Sequence, residues 1–216
     1  MTHTVEPETR AAKRRREVAN AARQVIIRKG LERTTMRDIS REGGFTTGVL
    51  AHHFPDKQAV IVGAFSSASE DFEAYASAAL ERADSTEDLL EVLVAVSIPD
   101  DPLRRAEWRL WSEMWTYAGR DPDFAAQLVE TDSRWENLIA GALTRARVAG
   151  LLSADVEPAV QAAVFARLTD GLGIRAWLSG DFYGARRQLV GYLGALGLPE
   201  SLQEEFLSGR DGKKTQ

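Results

Sequence analysis

The chain has 216 residues, of which 44% are apolar and 27% charged, the balance of an ordinary globular protein. It contains no cysteine, which excludes disulfides, thiolate nucleophiles and zinc sites built on cysteine. The net charge of −5 is unevenly spread: residues 1–57 hold 12 Lys and Arg against 7 Asp and Glu, and the remainder is acidic. A basic segment joined to an acidic body suggests a module for a polyanion, although a basic surface helix would give the same count. The first nine residues lack the apolar stretch of a secretory signal. No run of eighteen apolar residues occurs, so no membrane-spanning helix is expected and the cytoplasm is the simplest location.

In chain order the sequence reads as all-α, with about nine helices. Val18, Ala22, Val25 and Ile26 follow helical spacing from about Thr9 to Lys29, and Gly30 ends that helix. Its front carries the basic run Arg10 to Arg16. Thr35 with Asp38 three residues on reads as a capping box opening a second short helix, stopped by Gly43-Gly44. A third short helix starts after Thr46 and runs to about His53, where Phe54-Pro55 breaks it. Asp56 then caps a long fourth helix, from about Lys57 to Arg82. An apolar helix over "LLEVLVAV" ends before Pro99. Further helices are expected over 103–118, 124–149, 158–178 and 185–196, followed by a disordered tail over 208–216.

Two short helices joined by a glycine turn make a helix-turn-helix when they cross steeply. Ile39, Phe45, Leu50 and Phe54 are the expected core, closed by Met36, Val25 and Ile26. The third helix then presents Thr46, Thr47, Gly48, Val49, Ala51, His52 and His53. That face is small, polar and rich in hydrogen-bonding groups, and it suits a major groove about 12 Å wide. Gly48 costs roughly 1 kcal/mol of helix stability relative to alanine, so a glycine here suggests close approach of a backbone. Adjacent histidines point about 100° apart on a helix and do not readily share a metal, so no metal site is expected at His52 and His53.

The stretch "TTMRDISREGGFTTGVLAHHFPDKQAVI", Thr34 to Ile61, resembles the TetR family of bacterial transcriptional regulators. The Thr-led second helix, the glycine turn, the glycine in the recognition helix, and Phe followed by lysine at the fourth helix all occur in order. The Thr47-Gly48 and Ala51-His52-His53 variants also resemble the choline-responsive, BetI-like branch. The resemblance implies an N-terminal three-helix DNA-binding domain over 9–57 and a C-terminal dimerisation and ligand-binding domain over 58–207. It implies DNA contacts by Arg37, Thr46, Thr47, Gly48, Val49, His52, His53 and Lys57. The sequence departs from the family at Thr47, where lysine is frequent, and at Ala51, where tyrosine is frequent. Both changes remove reach.

"EWRLWSEMW" places Trp108, Trp111 and Trp115 on one helical stripe, with Trp135, Phe165 and Trp177 as further aromatic candidates. They serve either as core or as the lining of an effector pocket for a cation or a flat apolar molecule. Asp170 interrupts an apolar helix and needs a partner, either Arg167, Arg175 or a ligand cation. "GLGIRA", from Gly171, matches a dinucleotide fingerprint only formally, because no strand precedes it. Gly171, Gly173, Gly191 and Gly194 instead suggest close helix approach, in a dimer interface or within the chain. No nucleophile–base pair, phosphate loop or cofactor motif is present, so no enzyme is expected. The reading is a ligand-responsive repressor binding a near-palindromic DNA operator as a homodimer. The alternative is an all-helical protein-binding adaptor without sequence-specific DNA binding.

Overall fold

The computed structural model describes residues 9–99 and 101–208, and these form ten helices with no strand among them. They are α1 (Arg10–Lys29), α2 (Met36–Gly43), α3 (Thr47–His53), α4 (Lys57–Glu81), α5 (Thr86–Ser97), α6 (Pro102–Ala118), α7 (Pro122–Val148), α8 (Pro158–Ser179), α9 (Phe182–Ala195) and α10 (Glu200–Ser208). The first nine lie within three residues of the expected bounds. The tenth, α10, was not expected. It is only nine residues long, and a helix that short draws its stability from packing, here the burial of Phe206. The expected tail over 209–216 lies outside the described residues, and Ser208 ends α10.

Two compact units divide the chain. One comprises the residues up to Phe72 with Arg109–Phe124; the other comprises Glu73–Trp108 with the residues from Ala125 onward. In the first unit, Val18, Ala22, Val25 and Ile26 of α1 bury completely against Ile39, Leu50 and Phe54. Phe45 was expected in this core but is only half-buried, with its ring lying over Gly43. A ring closing a turn is covered on one side by the turn and open on the other. Phe65 packs on Tyr117 and Phe124, with ring centroids 5.8 and 5.6 Å away.

The second unit is built on α8 and α9, with α10 against α9. Phe165 and Leu189 are fully buried in it. The guanidinium of Arg186, itself buried, donates through Nε to the Phe206 carbonyl at 3.1 Å, which ties α10 to α9. Gln203 of α10 lies directly over Gly194, and the ring of Trp108 lies directly over Gly173. Neither glycine could carry a Cβ without displacing its neighbour. Packing within the chain is thus a role both glycines fill, one of the two that the sequence left open for them.

Candidate nucleic-acid interface

The caps expected at Thr35 and Thr46 are formed, and α1 opens on a further one. Thr9 accepts from the Ala12 amide at 3.2 Å. Thr35 accepts from the Asp38 amide, and the Asp38 carboxylate accepts in return from the Thr35 amide at 3.3 Å. This satisfies two helix-end donors reciprocally. Lys29 of α1 adds an ion pair to Asp38 at 2.6 Å. With Lys29 and Thr35 donating to it, the Asp38 carboxyl is held well below its usual range, at about 2. Arg28 pairs with Glu42 in the same way, joining the end of α1 to α2 a second time.

The turn between α2 and α3 uses its two glycines differently. Gly44 is left-handed, at φ 66°, with open space around it. Gly43 is in the helix, and Phe45 occupies the space a side chain would need. Ser40 closes the turn by donating its hydroxyl to the Phe45 carbonyl at 2.5 Å and accepting the Phe45 amide on its own carbonyl at 2.9 Å. Thr46 then caps α3 by accepting from Val49.

Leu50 is the one fully buried residue of α3, and it anchors the helix on the unit's core. Thr46, Thr47, Gly48, Ala51 and His52 are exposed; Val49 and His53 are half-buried. The two imidazoles meet edge to face at 4.9 Å, which gives them a packing role on each other and leaves His52 outward. A Cβ built on Gly48 meets nothing closer than the Thr46 hydroxyl, at 3.8 Å. Nothing among the described residues therefore requires glycine at position 48. Arg37 stands exposed on α2, without an ion pair among the described residues, and half-buried Lys57 opens α4 just past the end of α3.

Two basic residues from α1 do work that the sequence did not reveal. Arg14 lies over the Phe45 ring, at 5.4 Å, and Arg15 over the Phe54 ring, at 4.7 Å. The side chain of Arg15 also donates to the His53 carbonyl at 2.9 Å. These two residues of the basic run are structural clasps on either end of α3, held by cation–π contact and hydrogen bonding. Their spacing in the run carries no mark distinguishing them from neighbours that face solvent.

The residues expected to line an effector site are distributed over both units. Trp111 and Trp115 belong to the first; Trp108, Trp135, Phe165, Asp170 and Trp177 belong to the second. Trp111 meets Phe72 edge-on at 6.0 Å. Trp108 and Phe165 are core residues, Phe165 tilted against Tyr192 at 6.3 Å. Trp135 and Trp177 are half-buried.

Asp170 is half-buried rather than buried, and its partner is Arg167, at 3.5 Å. The same guanidinium serves Glu136 at 2.5 Å and Asp132 at 3.8 Å. Three carboxylates thus share one arginine. Desolvation and the neighbouring Asp132 charge push Asp170 up to about 6, against the pull of Arg167. Asp132 and Glu136 were missed in the sequence. Their spacing of four on α7 marks a shared face, but a pair of acids on a helix is too common to single out.

A separate cleft of about 490 Å³ in the second unit is lined by Tyr75, Arg82, Asp88, Glu91 and Arg186 among others, and by none of the seven expected effector residues. Among the described residues, no group of three or more His, Asp and Glu is placed to hold a metal, and no helix is long and apolar enough to cross a membrane.

A capped three-helix unit with an open, polar second helix past a glycine turn defines a helix-turn-helix DNA-binding protein. Residues 19–63 match the profile of bacterial regulatory proteins of the tetR family, and residues 86–196 match that of the BetI-type transcriptional repressor C-terminal domain. The chain belongs to the TetR family, with a BetI-type C-terminal domain, and it is a DNA-binding transcriptional regulator of the helix-turn-helix type.

Its relatives include the HTH-type transcriptional regulator BetI of Stenotrophomonas maltophilia, 25% identical over 184 residues, covering 83% of this chain and 91% of the relative. An HTH-type transcriptional repressor of Mycobacterium tuberculosis is 28% identical over 165 residues, covering 76% and 83%. Among solved structures, a regulator from Saccharomonospora viridis in complex with choline superposes with a TM-score of 0.75 at 24% identity, over 85% of this chain and 96% of that one. Family membership decides for the DNA-binding regulator over the alternative of a protein-binding adaptor.

Proposed function

We propose that the protein is a ligand-responsive repressor that binds a near-palindromic operator as a homodimer, and that it acts by binding rather than by turnover. In this reading residues 9–57 are the DNA-binding domain and 58–207 the dimerisation and effector domain. The observation that carries it is the open face of α3, with Gly48 unconstrained by the described residues. Thr46 and Thr47 stand at the groove edge, Gly48, Val49 and His52 on the bases, and His53, Arg37 and Lys57 beside phosphates. Phosphate contacts set register, and base contacts set sequence.

The support for a dimer is the outer face of α8 and α9. Val160, Val164, Leu178 and Tyr183 are all 45% exposed or more, and among the described residues nothing stands within 4 Å of a Cβ built on Gly171 or Gly191. Apolar side chains that follow one another along a helix pair and stay exposed mark an interaction surface. Two copies joined there would present their recognition helices one helical turn apart on DNA, about 34–36 Å.

For the effector we propose a small organic cation of the quaternary ammonium class. Its support is the carboxylate excess at Asp132, Glu136 and Asp170 and the choline in the complex of the Saccharomonospora viridis regulator. Selection from random duplexes with the purified protein tests the reading. Recovery of paired, inverted half-sites is the expected result, and recovery of unrelated sequences would refute operator recognition. Added choline should raise the melting temperature of the protein and weaken its hold on the selected duplex.

A further inference from the structure

The last carbonyls of an α-helix have no partner within it and need one elsewhere. At the end of α1 the partner comes from α6. Arg109 donates through Nη1 to the carbonyls of Ile27 and Arg28, at 3.2 and 3.1 Å. One turn along the same helix, Glu113 accepts the Leu31 amide through Oε1 at 3.1 Å. Two side chains spaced four apart therefore take two carbonyls and one amide at a single corner. A cation at a helix C-terminus also suits the helix dipole.

Gly30 sits between them at φ 83°. A Cβ there would stand 2.8 Å from the Arg109 guanidinium and 3.0 Å from the Glu113 carboxylate. The corner is further tied on the side of α2. Thr34 is buried and donates to the Gly30 carbonyl at 2.8 Å, and the pairs Lys29–Asp38 and Arg28–Glu42 bridge α1 to α2 beyond it.

The geometry points to Arg109 and Glu113 as positioning residues for operator binding: they grip the α1–α2 corner and so set the attitude of the helix-turn-helix. Neither lies on α2 or α3, which carry the recognition face. The border between the two compact units falls inside α6, between Trp108 and Arg109, so the grip is made by a helix that both units share.

This inference rests on the operator-binding reading, and the test separates the two. Arg109→Met and Glu113→Leu remove the grip while shifting net charge in opposite directions. Glu113→Gln keeps an oxygen that accepts the Leu31 amide. Each is titrated against the duplex selected by the wild-type protein and against a random duplex at the same salt. Both grip-breaking variants are expected to lose operator affinity roughly tenfold, because a recognition site tolerates only about 0.5 Å of looseness. Random-duplex affinity should move by less than about twofold, in opposite directions for the two. Glu113→Gln should match the wild type.

Unchanged operator affinity, or an equal loss on both duplexes, would overturn the inference. If a grip-breaking variant does not fold, hydrogen exchange decides. The Leu31 amide must be protected in the wild type and in Glu113→Gln, and rapid exchange in the wild type overturns the proposal. A wild-type protein that selects no duplex at all would instead sink operator recognition itself.

Discussion

Arg15 reaches from α1 to the end of the recognition helix, donating to the carbonyl of His53 at 2.9 Å and lying over the ring of Phe54 at 4.7 Å. A residue that sequence places in a DNA-facing basic run is thereby a clasp on α3. Replacing it with methionine keeps the stem and removes both contacts. The expected loss is roughly 1 kcal/mol, since exposed cation–π pairs are worth about 0.5–1. That corresponds to a melting shift of about 2–4 °C for a chain this size. Differential scanning calorimetry of Arg15→Met reads it, and an unchanged transition would show the clasp to be incidental.

Gly48→Ala should separate folding from binding. A Cβ there meets open space, so the helix gains roughly 1 kcal/mol. If DNA must come close to the backbone at this point, the same methyl group obstructs it. The protein should therefore melt higher and bind its operator more weakly. A variant that is more stable and equally tight would remove the close-approach explanation.

Lys57→Ala should weaken binding to every duplex alike. One lost phosphate contact lowers the slope of log affinity against log salt by about 0.9. Titrations at several salt concentrations measure that slope. A loss confined to one sequence would reassign Lys57 to base reading.

Asp170 makes a pH prediction. Its folded pKa, about 6, is raised above the usual carboxylate value of 3.8, so between these values the folded state binds more proton than the unfolded. Stability therefore falls as pH rises from about 4 through 6. After discount for its partial exposure the effect is about 1 kcal/mol, or roughly 2–4 °C. Melting curves from pH 4.5 to 7 should show this decline, and Asp170→Asn should flatten it. An identical slope in the variant would assign the effect to other groups.

Leu178→Glu places a charge on the outer face of α8, where Leu178 is 71% exposed. It should leave the protomer folded and shift sedimentation from dimer to monomer. Retained dimerisation would move the interface elsewhere.

Much of the operator-binding unit was legible in sequence because its signals are local. Thr35 and Asp38 cap within one turn, Gly44 marks a left-handed turn, and Asp56 caps α4 through the Ala59 amide at 2.8 Å. The grip of Arg109 on Ile27 and Arg28 spans more than eighty positions, and no periodicity reports it. The glycines show the same limit: Gly171 and Gly173 look alike in a small-residue stripe, yet one is exposed and the other lies beneath Trp108. Helix α10 escaped notice because a nine-residue helix anchored by Phe206 alone has too few positions to show a period.

The two glycines of the α2–α3 turn look like a redundant pair, but their neighbours make them unequal. At Gly44 the demand is only on the backbone, so asparagine, which tolerates the left-handed region, is an available substitute. At Gly43 the demand is on space, and no side chain of any kind satisfies it while Phe45 stays in place. Mutational drift through this turn is therefore one-sided: position 44 can change with its neighbours in place, but a change at position 43 requires the Phe45 ring to move or a smaller residue at 45.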